Sequence, residues 1–415
     1  MKKFFVLWSS QAASIFGSTI VGFALAWYLA KETGSATILA TAMMVNFIPP
    51  VVLGPFIGPF IDRWNRKKIM IFGDLVTMLL TLALVVLFYT NTIQIWHIYV
   101  VMFGRSVSGV FQGPALSASI PMIVPEKHLV RANGLNMTLN GIINIIGPPS
   151  GAFLMEALPI HWVLSVDIIT AVIAVGCLLP LAIPQPPRTT LTNKLNVIGD
   201  MVQGFRYIAS WRGLLFLIIL GSMLNFFAGP VNALLPLFVT NHLGGDVLKL
   251  GWLQTAFGVG VIAGGLILSV WGGFKRRILT CFMGLIIWSI AIFTFGFTTE
   301  SLFFMGLALV LFAGLGITMN NAPVGAILQA TVARDIQGRV FTLVNSIATA
   351  MVPLGLAIAG PVADAIGVRT MWYISGAAIF VLVIAGFFSR DLMNIENQKT
   401  VEKPAEEAQP LIPQT

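Results

Sequence analysis

Twelve apolar stretches punctuated by short polar intervals run through the chain, near 5–30, 36–61, 69–90, 96–122, 133–155, 161–183, 213–238, 248–273, 277–298, 302–327, 339–363 and 369–388. A hydrocarbon core about 30 Å thick needs roughly 20 helical residues to cross it. The pattern therefore predicts an all-α membrane protein of twelve transmembrane helices, and the even number places both termini on one side. The longest internal polar interval, Pro184 to Arg212, divides the spans six and six. It predicts an N-terminal six-helix bundle over 1–183, a linker over 184–212, a C-terminal bundle over 213–390 and a polar tail over 391–415, rich in Glu, Gln and Pro and expected to be disordered. The linker opens on Pro184-Gln185-Pro186-Pro187, a helix stop. It continues with Leu195, Ile198, Met201, Val202, Phe205 and Ile208 at helical spacing. Those positions make either an amphipathic helix along the inner membrane surface or an extension of the seventh span.

Composition excludes a soluble reading. The chain is 57% hydrophobic and 10% charged, with a mean hydropathy of +0.90, against roughly 25% charged residues in soluble domains. The net charge of +8 forms no stripe or patch, so no nucleic-acid partner is expected. The bases instead orient the chain. With the termini inside, the inner segments hold twenty Lys and Arg and the outer loops hold three, Lys31, Lys249 and Arg369. That bias predicts cytoplasmic termini. Met1-Lys2-Lys3-Phe4 looks like a signal-peptide start, but the apolar run continues to about Ala30 without a cleavage-type site, which favours a retained first span. Cys177 and Cys281 lie inside apolar runs, so neither a disulfide framework nor a metal site is expected. No inner loop carries a P-loop pattern and no nucleophile–base constellation is found, so no cofactor and no enzymatic activity are expected.

The halves echo each other at an offset near 209. Arg131-Ala132-Asn133-Gly134-Leu135-Asn136 corresponds to Arg339-Val340-Phe341-Thr342-Leu343-Val344-Asn345, and the Gly58–Lys68 turn to Gly265 through Lys275-Arg276-Arg277, with Ser269 where Asp62 would fall. Within the first half, Asp74-Leu75-Val76-Thr77 near the start of the third span matches Asp167-Ile168-Ile169-Thr170 near the start of the sixth. Those spans run in opposite directions, which marks an inverted repeat. Nested repeats of this kind belong to secondary transporters, whose site lies at mid-membrane between two rocking halves.

Charged and conformationally special residues are few. Gly58-Pro59-Phe60-Ile61-Asp62-Arg63-Trp64-Asn65-Arg66-Lys67-Lys68 sets one acid and four bases in a turn too short to leave the surface. It reads as a latch between two helices, with Gly58 allowing a close approach. Arg105 lies about eight residues into the fourth span. A guanidinium there costs about 2.5–3.5 kcal/mol, so it needs an acid or a wet cavity, unless it snorkels to headgroups. Gly109 and Gln112 share its face. Asp74 and Asp167 are the acids well inside predicted spans, and each is either a proton carrier or a static hydrogen-bonded acid. Asp364 is expected to be a solvated cap. The fifth span carries Gly141, Gly147, Pro148 and Gly151, read as a pliable seam between halves or as plain small-residue packing.

With these residues the chain resembles the major facilitator superfamily over residues 4–390. Gly58-x-x-x-Asp62-Arg63-x-x-Arg66-Lys67-Lys68 is similar to that family's loop 2–3 signature, with Asn65 replacing its glycine. Arg105-x-x-x-Gly109-x-x-Gln112-Gly113 is similar to its helix 4 motif, and Gly141 to Gly151 to the antiporter helix 5 motif. Thr33-Gly34-Ser35-Ala36, the Asp62–Ile71 turn and Gly338-Arg339-Val340-Phe341 are similar to the macrolide-efflux branch. The resemblance implies a monomer in the bacterial plasma membrane that exports small lipophilic compounds in exchange for protons. It assigns Asp62 and Arg63, within the signature that also holds Gly58, Arg66 and Lys67, to a conformational latch, Arg105 to the proton relay, and Gly147 and Pro148 to the antiporter seam; Asp74 and Asp167 stand as candidate carriers on their intramembrane position, not on the resemblance. It also implies a cavity lined by spans 1, 4, 7 and 10. Candidates there are Gln11, Ser14, Ser18, Gln112, Asn225, Phe226, Asn232, Met319, Asn320 and Asn321. Some multidrug relatives carry an acid in the first span, and this chain has none between Phe4 and Ala30. Export of a natural metabolite or siderophore, and a non-transporting membrane sensor, are the alternatives.

Overall fold

The computed structural model describes residues 2–184, 197–332 and 336–396. All regular structure among them is helical. The first half holds α1 (Lys2–Thr33), α2 (Ala36–Arg63), α3 (Arg66–Tyr89), α4 (Ile95–Ile123), α5 (Leu129–Ala157) and α6 (Ile160–Leu178). After α7 (Val197–Ser210), the second half holds α8 (Arg212–His242), α9 (Val247–Trp271), α10 (Arg277–Phe295), α11 (Phe303–Thr331), α12 (Gln337–Ile366) and α13 (Val368–Phe388), followed by the short α14 (Arg390–Met393). Ten of these are long and apolar enough to cross a membrane. The other two long helices, α4 and α5, have 29 residues each. Both carry polar groups inside the apolar run, Arg105 and Gln112 on α4 and four asparagines on α5.

Local chemistry sets the breaks. Gly34 turns with φ +59°, and Ser35 then caps α2 by accepting from the Ile38 amide. Asn65, in place of a glycine, caps α3 by accepting from the Lys68 amide at 3.1 Å. Gly272, left-handed at φ 77°, ends α9.

Within the first half α1 packs on α5 and α6, α3 on α4 and α6, and α2 on α4. Within the second, α8 packs on α12 and α13, α10 on α11 and α13, and α9 on α11. Glycines set the closest crossings there: a Cβ on Gly260 would lie 2.0 Å from the Leu311 carbonyl oxygen, and one on Gly314 2.1 Å from that of Phe257. The halves meet mainly through α2 with α12 and α5 with α9. Those contacts gather at one end: Gly360 of α12 against Thr37 and Ala40 of α2, and Gly251 of α9 against Ala152 and Pro149 of α5.

The tail is docked further than its composition suggests. Leu392 and Ile395 are buried, and Glu396 accepts from the Ile278 amide at the start of α10. Of the linker, α7 forms a helix from Val197, with Ile208 buried and Phe205 exposed; the stretches 185–196 and 397–415 lie outside the described residues.

Candidate functional site

A cavity of about 960 Å³ opens between the halves, at the upper end of the range of roughly 300–1,000 Å³ typical of small-molecule sites. Its two walls differ. The first half presents Gln11, Ser14 and Ser18 from α1, Arg105 and Gln112 from α4, and Asn144 from α5. The second half presents Phe257, Trp288, Phe295 and Trp372, with Asn232 and Gln254 as polar groups.

Directly behind the polar wall sit two carboxylates, each 1% exposed. Asp74 accepts from Ser14 Oγ at 2.8 Å, Gln11 Nε2 at 3.1 Å and Gln112 Nε2 at 2.6 Å. Every one of those side chains lines the cavity. Asp167 accepts from Ser18 Oγ at 2.9 Å and Thr81 Oγ1 at 2.8 Å, and it forms an ion pair with Arg105 Nη1 at 2.5 Å. Arg105 also donates to Thr81 Oγ1. The local sequence explains the reach. Gly17 brings α1 against α6, since a Cβ there would lie 3.1 Å from the Asp167 Cα, and the adjacent Ser18 is thereby delivered to the carboxylate. Gly73 brings α3 against α4 in the same way, with Ser108 Oγ donating to its carbonyl at 2.9 Å. Arg105 therefore points inward to an acid rather than snorkelling, and only 11% of its side chain is exposed.

The two acids are chemically distinct. Asp167 faces a cation. The groups bonded to Asp74 among the described residues are all neutral, and hydroxyl and amide groups can hold a carboxyl in either protonation state.

Other predicted positions are rearranged. Of the cavity candidates, Gln11, Ser14, Ser18, Gln112 and Asn232 line it. Asn225, Phe226, Met319, Asn320 and Asn321 do not. The Asn225 amide bonds the Gly221 carbonyl of its own helix, and the Phe226 carbonyl lies where a Cβ on Gly355 would stand, at the α8–α12 crossing. Met319 and Asn320 face the close approach of α10, where Gly284 meets their backbone, and Asn320 bonds Asn321. Side chains that sequence reasoning missed, Gln254, Phe257, Trp288, Phe295 and Trp372, come from α9, α10 and α13. Gln254, an amide in an apolar span, was the one with a visible signal.

The α5 glycines and prolines face different neighbours. Gly147 and Gly151 face α1, against Thr19 and Phe23 at 2.7 and 3.0 Å from a built Cβ, while Gly141 and Pro148 line the cavity. The glycines that seat α5 on the other half belong to α9: Gly251 against Ala152 and Gly258 against Ile145.

At the far end, a Cβ on Gly58 would meet nothing within 4 Å, so no helix approaches closely there. Gly58 itself is exposed, while Ile57 and Ile61 beside it are buried in one cluster with Met70 and Ala115 of the same half. The Asp62 side chain lies outside the described residues. Arg63 is exposed, whereas Arg66 Nη1 donates to the Ala118 carbonyl at 2.7 Å and Lys67 Nζ to that of Leu179 at 2.7 Å. Both cations thus sit on the C-terminal turns of α4 and α6, where the helix dipole favours positive charge. A like contact recurs in the second half, where Arg277 Nη1 donates to the Ala326 carbonyl at 3.3 Å. Asp364, expected to be a solvated cap, is exposed and accepts from the first amides of α2.

A family described as transmembrane secretion effectors matches residues 1–412. Macrolide efflux protein A of Streptococcus pyogenes is 31% identical over 382 residues, covering 92% of this chain and 94% of the relative. The multidrug efflux pump Tap of Mycolicibacterium fortuitum is 26% identical over 387 residues, 90% of this chain and 92% of its own. Among solved structures, the nucleoside transporter NupG matches with a TM-score of 0.71 at 14% identity, over 96% of this chain and 100% of that one. Together with the helical fold, the match along the whole sequence makes this chain a member of the major facilitator superfamily, in its macrolide-efflux-like branch.

Proposed function

We propose that the protein exports lipophilic, drug-like compounds, macrolide-like ones first, from the bacterial cytoplasm in exchange for protons. The observation that carries this reading is the cavity itself: apolar and aromatic on one wall, and backed on the other by two buried carboxylates and one arginine. An aromatic wall suits a large apolar solute, and a few placed amides fix its orientation. The relatives named for macrolide and multidrug efflux support the same direction of transport.

In this reading α4 and α5 complete twelve spans, with both termini in the cytoplasm and the chain acting as a monomer in the plasma membrane. The matching helix neighbours in each half, and the paired Arg66–Ala118 and Arg277–Ala326 contacts, support two bundles related by a pseudo-two-fold axis. The end closed by α2 with α12 and α5 with α9 is then the outer one, and the cavity faces inward. Asp74 takes and releases the proton, because its neutral partners let it do so without breaking an ion pair. Arg105 and Asp167 form the charge pair beside it, through which a change at the cavity surface is felt. One proton moving inward across 100 mV supplies about 2.3 kcal/mol.

Everted membrane vesicles test the proposal. After a proton gradient is established, adding a macrolide should partly collapse it, and the loss should depend on the expressed protein. A gradient that stays intact across a panel of lipophilic drugs, with no change in susceptibility of cells carrying the gene, refutes it.

A further inference from the structure

The closed end of the cavity is held by more than apolar packing. The Asp364 carboxylate on α12 accepts from the Ala36 amide at 2.6 Å, the Thr37 amide at 3.0 Å and Ser35 Oγ at 2.9 Å. Ala36 and Thr37 are the first two residues of α2, whose amides have no acceptor inside the helix. Ser35 accepts from the Ile38 amide at 3.3 Å while donating to Asp364, so a single serine serves its own helix and the clasp together. The negative charge sits at the positive end of the α2 dipole. One turn earlier on the same face of α12, Gly360 admits α2 to contact: a built Cβ would lie 2.9 Å from Thr37 Cα and 3.0 Å from Ala40 Cβ.

We propose that Asp364 is the clasp between the halves: it holds the α2–α12 end shut and must release the α2 N-terminus for the cavity to open there. The clasp presupposes that the halves rock, as in the proposed transport cycle. Its logic is one of differential contact, because an interaction made in only one state biases the equilibrium by its full strength. When the ends of α2 and α12 part, the Ala36 and Thr37 amides exchange a carboxylate for water. The partner chemistry is wholly internal and sits in one helix turn, so a single substitution removes it without touching the cavity wall.

The test is thiol accessibility in a C177S/C281S background with one reporter, Met43→Cys, on α2 at the cavity wall. A membrane-impermeant maleimide is applied to whole cells and, separately, to everted vesicles. In the parent, labelling should be fast from the cytoplasmic face and slow from outside. Asp364→Ala should raise the external rate by roughly five- to thirtyfold, the population factor carried by a small cluster of polar contacts, and lower the vesicle rate. Ser35→Ala, which removes one of three bonds, should give a smaller rise. A variant that merely unfolds would label faster from both faces; Asp364→Asn, of the same shape, is then the variant measured. An external rate within about twofold of the parent for both Asp364 variants, well below the population factor expected of the contacts, overturns the clasp. The readout needs neither drug nor protons. If accessibility shifts as expected while no variant exports any compound, the clasp stands and the export proposal fails.

Discussion

Removing Arg105 isolates a charge that the protein has already taken out of water. Asp167 is 1% exposed, and its only cationic contact among the described residues is Arg105 Nη1 at 2.5 Å. After Arg105→Ala the carboxylate keeps two neutral donors, Ser18 and Thr81. Breaking a buried pair from one side costs about 3–5 kcal/mol, in line with about 4 kcal/mol for two charges 4 Å apart at an effective dielectric of 20. Removing both charges at once leaves no orphan, so Arg105→Ala/Asp167→Asn should recover most of that loss. The measurement is thermal stability of detergent-solubilised protein across the four members of the cycle, beside drug efflux in cells. We expect the single arginine variant to be the least stable and the double variant to approach the parent. Both should fail to export, because the charge pair beside the proton site is gone in each. Purely additive stabilities would mean that the pair is not coupled. Export by the double variant at the parental rate would remove the charge pair from the mechanism while leaving its structural role intact.

Six further substitutions follow from the geometry. Asp74→Asn should abolish drug-dependent proton movement in vesicles yet leave downhill drug equilibration, and uphill export by this variant would contradict the assignment of the proton to Asp74. Gly260→Ala places a methyl group 2.0 Å from a main-chain carbonyl and should cost at least the upper part of the ~1–3 kcal/mol typical of overpacking; Gly176→Ala, which meets nothing within 4 Å, should melt like the parent or slightly higher. Phe257→Ala, at the cavity wall, should weaken drug binding about tenfold, as loss of one aromatic anchor does, whereas Asn225→Ala and Asn321→Ala should leave affinity unchanged when measured by equilibrium drug binding to purified protein.

The apolar pattern located each long helix to within a few residues, because length and hydropathy are properties of one segment at a time. Intramembrane charge was equally legible: Arg105, Asp74 and Asp167 stand out against apolar surroundings at any register. What the pattern did not contain was pairing. Arg105 binds Asp167, 62 positions away, while Gln112, two turns further along α4, is the side chain that reaches Asp74; α3 runs opposite to α4 and α6, so the two acids lie at different levels. Nor did it contain depth or neighbour identity. Asn225 and Asn232 are two turns apart on nearly one face of α8, yet only Asn232 lies at the level of the cavity. Ala313 and Asn320 share a face of α11 in the same way, but at Asn320 the glycine contacts of α10 and α11 close the gap that would have exposed it.

The unequal construction of the two halves bears on where coupling resides. Helices α9, α10 and α11 are joined by backbone-to-backbone approaches at Gly260, Gly284, Gly314 and Gly316. Such contacts lose their dispersion gain with small displacements and offer no alternative arrangement. Around Asp74 and Asp167, helices α1, α3, α4 and α6 are joined by hydroxyls and amides that can exchange donors for acceptors at little cost once a proton arrives. A change of charge at Asp74 reaches Gln11, Ser14 and Gln112 first, and these same side chains form the cavity surface that a solute touches. In the proposed exchange, proton and solute act on one set of hydrogen bonds from opposite sides, while the aromatic wall of the second half supplies area without responding to charge. The exchange proposed here needs no long-range pathway in such an arrangement, because one side chain separates Asp74 from the cavity.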